Sequence, residues 1–319
     1  MKLTHTLLCT LVLLSVTKVD ASTLYGSTSS GGGGELWILD PATGSSIQDV
    51  GPLNDSNGSN YAMTGLAFHP ATGVLYGSTG NNTGHLLVTI NPATALVTVI
   101  GDYNTGINNN TMADIKFDSS GNLYGVGSSA QAALFSINPN TAQATMIGAS
   151  GLTFTSGGGL AISPAGIFYG TPVSTNFGIY NPTTGAFSNI ATPALPAGAH
   201  TSYSALAFNG NTLYGINLGT PPHLVTIDPS GNVTDIGATP LRIDGIAFMP
   251  PPKLTIQKTN NAAILSWPAS ATGFHLQQNT DLTTTNWVAN NSPTNVVNGT
   301  NQLILSLGTN NVFFRLISP

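Results

Sequence analysis

The tripeptide Leu-Tyr-Gly keeps returning along this chain and restricts it to a repeat architecture. It stands at Leu24-Tyr25-Gly26, Leu75-Tyr76-Gly77, Leu123-Tyr124-Gly125 and Leu213-Tyr214-Gly215, with Phe168-Tyr169-Gly170 as a variant. The spacing is about 45–51 residues, that of one supersecondary unit repeated in an array. Three further landmarks recur in fixed order around it. One is Gly65-Leu66-Ala67-Phe68, matched by Asp114-Ile115-Lys116-Phe117, Gly159-Leu160-Ala161-Ile162, Ala205-Leu206-Ala207-Phe208 and Gly245-Ile246-Ala247-Phe248. Another is an apolar run ending at Asp40-Pro41, Asn91-Pro92, Asn138-Pro139, Asn181-Pro182 and Asp228-Pro229. The last closes at Val50-Gly51, Ile100-Gly101, Ile147-Gly148, Ile190-Ala191 and Ile236-Gly237.

Each landmark is short, rich in β-branched or aromatic residues and bounded by turn formers, which predicts a strand. Asp40-Pro41-Ala42-Thr43-Gly44 and His69-Pro70-Ala71-Thr72-Gly73 pair a preset proline φ with a glycine able to turn left-handed, so both predict tight hairpins. Four antiparallel strands per unit, repeated around a ring, make an all-β fold, a β-propeller. Leu66 and Phe68 point to one face of their strand and Gly65 and Ala67 to the other. Large side chains of one sheet then fill the space left by small ones of its neighbour.

The ends of the array predict how it closes. The chain enters at a second-landmark strand and leaves at a first-landmark strand, so neither end is a whole unit. Residues 244–248 are expected to supply the inner strand of a sheet whose other three strands come from residues 23–51, which protects edges that an open array would expose. The count is five blades. This repeat resembles the bacterial extracytoplasmic propellers built on Leu-Tyr-Gly and Asp-Pro-x-Thr-Gly motifs. The resemblance covers residues 23–250 and implies a fold, while functions on that fold are many.

Pro250-Pro251-Pro252 reads as a stiff linker. Beyond it, alternating segments at 254–258, 263–267, 274–278, 287–289, 302–307 and 312–317 predict a small β-sandwich with Trp267 as core anchor. This stretch resembles the fibronectin type III-like modules at the C-termini of predicted secreted bacterial proteins, which implies a spacer or attachment role. The expected organisation is therefore a signal peptide at 1–21, the propeller at 22–250 and a fibronectin/Ig-like module at 251–319.

The signal peptide rests on Lys2, an apolar run from Leu7 to Val16 and the small residue Ala21. That run is too short to span a bilayer of roughly 30 Å. Cys9, the one cysteine of the chain, lies in it and would leave with it. Charged residues are 6% of the chain, against about 25% in ordinary globular proteins, and the net charge is −5. No basic cluster exists to neutralise phosphates, so nucleic acid is not an expected partner. No membrane span, cofactor or metal is expected either, and the compartment is extracytoplasmic.

Long loops over a rigid scaffold are where binding concentrates. The loops between sheets are long and irregular here, and predict a ligand face carrying Tyr61, His85, Tyr103, His200, Tyr203, His223 and Arg242. Each of them also reads as an ordinary loop residue. Asp114 and Asp244 start inner strands and are the candidate carboxylates for glycoside chemistry at the channel mouth. Against that, their blades are not neighbours, Glu35 is the only glutamate, and Lys116 sits on the same strand face as Asp114. Asp55-Ser56-Asn57-Gly58-Ser59 spaces its oxygens like a calcium loop but has a misplaced glycine and no closing carboxylate, so it reads as a turn. The expected function is a secreted, non-enzymatic binding or scaffold protein with a glycan or surface protein as partner. The alternative is an extracellular polysaccharide hydrolase or lyase using Asp114 and Asp244.

Overall fold

In the computed structural model the repeated landmarks become strands because their ends are fixed by side-chain chemistry. The structure describes residues 22–29, 33–80, 85–106, 111–128, 132–152, 158–172, 176–193, 202–259, 262–269, 274–306 and 311–317. The signal-peptide expectation, with Lys2 and Cys9, falls outside them, and so does His200. By contact the described chain divides into two compact units, one of Ser22–Pro70 and Val74–Pro250 and the other of Ala71–Gly73 and Pro251–Pro319.

The first unit begins with β1 (Leu24–Thr28), β2 (Glu35–Leu39) and β3 (Ser46–Pro52). Four complete sheets follow: β4 (Met63–Phe68), β5 (Leu75–Thr79), β6 (Leu86–Ile90) and β7 (Val97–Asp102); β8 (Met112–Phe117), β9 (Leu123–Gly127), β10 (Leu134–Ile137) and β11 (Ala144–Gly148); β12 (Leu160–Ile162), β13 (Phe168–Gly170), β14 (Phe177–Tyr180) and β15 (Phe187–Ala191); β16 (Tyr203–Asn209), β17 (Thr212–Asn217), β18 (His223–Ile227) and β19 (Val233–Ala238). The last strand, β20 (Ile243–Phe248), pairs antiparallel with β1, so the remaining sheet has the order β20-β1-β2-β3. Within every sheet the strands follow one another antiparallel. The first strands touch in a closed cycle: β20 lies against β4, β4 against β8, β8 against β12, β12 against β16, and β16 against β20.

The Asp-Pro and Asn-Pro landmarks owe their residue type to one hydrogen bond. The Oδ1 atoms of Asp40, Asn91, Asn138, Asn181 and Asp228 each accept from the backbone N–H two residues on, at 2.8–2.9 Å. This is the short side-chain turn that Asp and Asn make best. The left-handed residue that completes the turn is Gly44 or Gly185 in two units, but Ala95 (φ 58°) and Ala142 (φ 64°) in two others, where Cβ must be accommodated.

The small position of the inner strand is forced by approach of backbone to backbone. A Cβ on Gly65 would stand 2.8 Å from Asp114 Cα, and one on Gly159 would stand 2.6 Å from the backbone nitrogen of Leu206. The large residues fill the wedges between sheets instead. Leu66, Phe68, Leu75 and Val88 share a core with Tyr25 and Leu36 of the preceding sheet. The Tyr of the recurring tripeptide packs edge-on or tilted against the Phe that closes the next inner strand: Tyr25 on Phe68, Tyr76 on Phe117, Tyr169 on Phe208 and Tyr214 on Phe248. Such aromatic pairs add about 0.5–1.5 kcal/mol beyond area burial.

The second unit contains two sheets, one of β21 (Thr255–Lys258), β22 (Ala262–Pro268), β26 (Thr300–Ser306) and β25 (Asn295–Val297), the other of β24 (Val288–Ala289), β23 (His275–Asn279) and β27 (Phe313–Ile317). Leu265, Trp267 and Leu303 of the first meet Leu276 and Phe314 of the second in one core, and Trp267 is 6% exposed. Strand β25 is three exposed residues with no alternation, so the sequence pattern does not announce it. Trp287 precedes its strand and instead stacks under the Arg315 guanidinium at 4.4 Å. Among the described residues, no helix is long and apolar enough to cross a membrane.

Candidate functional site

The first residues of the inner strands converge where β4, β8, β12, β16 and β20 meet, and two candidate carboxylates lie there. Asp114, on β8, is fully buried and its Oδ1 sits 2.5 Å from Lys116 Nζ. Its own strand adds a bond from Ile115 N–H to Oδ1 (2.8 Å). The other oxygen, Oδ2, accepts from Leu160 N–H of β12 (3.0 Å) and Leu206 N–H of β16 (3.3 Å). Lys116 donates in turn to the Leu66 carbonyl of β4 at 2.9 Å. One ion pair therefore bonds to backbone in four inner strands. Burial pushes the Asp114 carboxyl up to about 6 against the pull of Lys116, and burial pushes the lysine down. A pair this dry is tolerable only because the remaining donors and acceptors are filled.

Asp244 is placed differently. Ser27 pairs with Gly245 and Thr28 with Ile243, so Asp244 is the extra residue of a β-bulge at the start of β20. Bulges turn one side chain out of the ladder. Thr64, Ala113 and Ser204 are skipped in the same way at the starts of β4, β8 and β16. Asp244 is half-buried, and desolvation raises its carboxyl to about 6, opposed by the Ser204 and Ser29 hydroxyls and reinforced by the charge of Asp114. The two carboxylates thus feel each other, but one is already spent on strand-to-strand bonds. That division suits a structural axis better than an acid–base pair, which needs both groups open to a substrate.

The raised Asp244 value has a consequence for stability. Its folded value lies above the ordinary 3.8, so the folded chain holds the proton more tightly than the unfolded one. The resulting stabilisation is complete below about pH 4 and is lost as pH rises through about 6. Asp244→Asn should melt roughly 2–6 °C above the parent at pH 7.5 and level with it at pH 4. Thermal melts at the two pH values check this, and a lower melting point for the variant at pH 7.5 would reverse it.

The expected ligand residues do not assemble into one aromatic face. Tyr103 is wholly buried among Leu87, Met112, Ile115 and Phe135, and burial pushes its hydroxyl pKa up. Tyr203 is 3% exposed, packed with Phe177 and Leu206, its hydroxyl pushed up to about 12 by burial. The repeat itself holds the reason. Tyr203 occupies the position of Met63, Met112 and Ile243, all fully buried, and Tyr103 that of Leu53, also fully buried. Reading those columns down the units would have assigned both tyrosines to the core. Tyr61 is half-buried and donates to Asp55 Oδ2 at 3.0 Å. Asp55 Oδ1 accepts from Asn57 and Ser59 N–H, both at 2.9 Å, so this segment is the turn its composition predicts. His85 is half-buried. His223 Nδ1 lies 2.9 Å from Asp235 Oδ1 on the adjacent strand, and Arg242 is exposed at φ +68° just before β20. Among the described residues, no three His, Cys, Asp or Glu side chains group as metal ligands.

Residues 53–202 match a family described as a repeat of unknown function (DUF6923). That span begins just after β3 and ends just before β16, so it contains three of the four-stranded sheets. No curated protein matches the chain. Among solved structures, one titled as a nidogen/laminin complex is 16% identical, covering 72% of this chain and 98% of its own, with a TM-score of 0.49. TolB from Acinetobacter baumannii is 12% identical over 92% of this chain and 66% of its own, with a TM-score of 0.45. YCF48 bound to D1 peptide is 11% identical, covering 97% and 98%, with a TM-score of 0.36. At these values nothing about those proteins' partners transfers to this chain.

Proposed function

We propose that this protein is a secreted, non-enzymatic binding or scaffold protein. In this reading it is a five-bladed β-propeller followed by a fibronectin type III-like spacer. The observation that carries it is the axis. Asp114 and Lys116 are consumed in bonds to β4, β8, β12 and β16, so the place where channel chemistry would need free carboxylates serves to hold sheets together. A repeat fold of this kind hosts many roles, so the reading rests on this site and not on the fold. The chain's low charge and Asn-, Thr- and Ser-rich surface suit neutral polar partners, a glycan or another surface protein. The signal-like N-terminus supports export.

The test is retention of residues 22–319 on immobilised glycans and on extracellular proteins from a cell of the same kind. Retention without turnover supports the reading. Reducing ends released from a polysaccharide panel, and lost in Asp244→Asn, would place chemistry at the axis and overturn it.

A further inference from the structure

The β8–β11 sheet departs from its sisters in one row of side chains. Cross-strand register places Tyr124, Ser136 and Thr145 side by side on β9, β10 and β11. The same row reads Tyr25-Ile38-Gln48, Tyr76-Thr89-Thr98, Tyr169-Ile179-Ser188 and Tyr214-Thr226-Thr234 in the other sheets. Ser136 is the smallest middle residue of the set. Over this row, toward the Asn138-Pro139 turn, lies a groove of about 600 Å³. That volume falls in the range of small-molecule sites, about 300–1,000 Å³.

The support beneath Tyr124 is also rearranged. In four sheet pairs the tripeptide tyrosine leans on a phenylalanine that closes the next inner strand, but here that residue is Ile162. Phe168, standing where the other units have leucine, takes the contact instead, edge-on at 4.8 Å. The two exchanges compensate each other and keep the Tyr124 ring fixed beside the groove.

Among the described residues, no side chain lining the groove is charged. Three amides border the groove, and each is oriented by a bond made at one end. Asn122 Nδ2 donates to Asp118 Oδ2 (2.9 Å), Asn138 Oδ1 accepts from Asn140 N–H (2.9 Å), and Gln143 Nε2 donates to the Ala144 carbonyl (3.2 Å). Their opposite ends offer Asn122 Oδ1 and Gln143 Oε1 as acceptors and Asn138 Nδ2 as a donor. The Asp118 carboxylate behind Asn122 is felt at Tyr124, but it is already bonded to Ser120 N–H, Asn122 N–H and Asn122 Nδ2, and no lysine or arginine is among the lining residues described. Hydroxyl groups, which donate and accept at once, fit a fixed set of both kinds.

We propose that this groove binds a neutral polyhydroxylated ligand, a short stretch of uncharged polysaccharide, with the Tyr124 ring against the sugar's C–H face. The proposal rests on the binding-protein reading above and names the ligand class. It also moves the contact from the long loops between sheets to the hairpin end of one sheet.

The test uses residues 22–319 titrated by calorimetry with neutral hexasaccharides of glucose, xylose and mannose. The wild-type chain should bind at least one of them. Ser136→Ile should weaken that binding about tenfold or more by filling the groove with the residue its sister sheets carry at Ile38 and Ile179. If that variant melts lower, Gln143→Ala with Thr145→Val, both at exposed positions, serves the same purpose and should also weaken binding. Binding by Ser136→Ile within twofold of wild type overturns the groove while leaving the binding reading standing. No affinity for any neutral hexasaccharide overturns the ligand class. Failure of wild type to be retained by glycans and surface proteins alike overturns the underlying reading itself.

Discussion

Lys116→Met should lower the melting temperature by roughly 6–20 °C, which makes it one of the most damaging single changes to this chain. The substitution keeps the length and packing of the side chain but removes the ammonium beside a fully buried carboxylate. Breaking a buried pair from one side costs about 3–5 kcal/mol, because the surviving charge is left without compensation. In a domain of this size each kcal/mol is worth about 2–4 °C. The Leu66 carbonyl on β4 also loses its donor. Asp114 can relieve its isolation by taking up a proton, so the deficit should be larger at pH 8 than at pH 5. The double variant Asp114→Asn with Lys116→Met removes both charges and leaves an amide oxygen for the Leu160 and Leu206 N–H groups. It should recover part of the loss. A melting point for Lys116→Met within 2 °C of the parent would show that the pair does not tie the inner strands together.

Removing residues 22–29 should abolish cooperative folding of the first unit. These residues contain β1, the middle link of the sheet β20-β1-β2-β3. Without it, β20 and β2 each lose a full ladder partner, and two hydrogen-bonding edges become exposed. Aggregation on size-exclusion chromatography and loss of a single thermal transition are the expected readouts. A matched control separates the loss of the strand from the loss of the terminus. Met249 N–H donates to the Thr23 carbonyl at 2.9 Å, so the two ends of the array lie side by side. A permuted chain that joins 250 to 22 through a short Gly/Ser linker, and opens at the exposed Asn57-Gly58 turn, should fold and melt cooperatively. If the truncated chain melts as the parent does, β1 is dispensable and the closure carries no stability.

Much of the fold is legible in the repeat because its causes are local. Strand positions follow from alternation, and the turns follow from a carboxylate or amide that caps the N–H two residues on. The pairing of β20 with β1 follows from counting which landmarks each end of the array lacks. The candidate site was less legible. Tyr103 and Tyr203 read as loop aromatics when taken singly, yet each sits in a column of buried residues, Leu53 for one and Met63, Met112 and Ile243 for the other. The Asp114–Lys116 pairing follows from spacing on a single strand, but its reach does not. Leu66, Leu160 and Leu206 lie on three other inner strands, far along the chain from Asp114.

By itself the sequence determined an all-β chain of repeated four-stranded units, with a last strand that belongs to the first sheet. Period-two patterning and turn chemistry act within a few residues and can be read in order. Only the tertiary structure decided that the inner strands close on a buried ion pair and that two of the expected ligand tyrosines are core. Those outcomes depend on which sheets face each other and how closely, and that geometry is set by packing between units, not within any one of them.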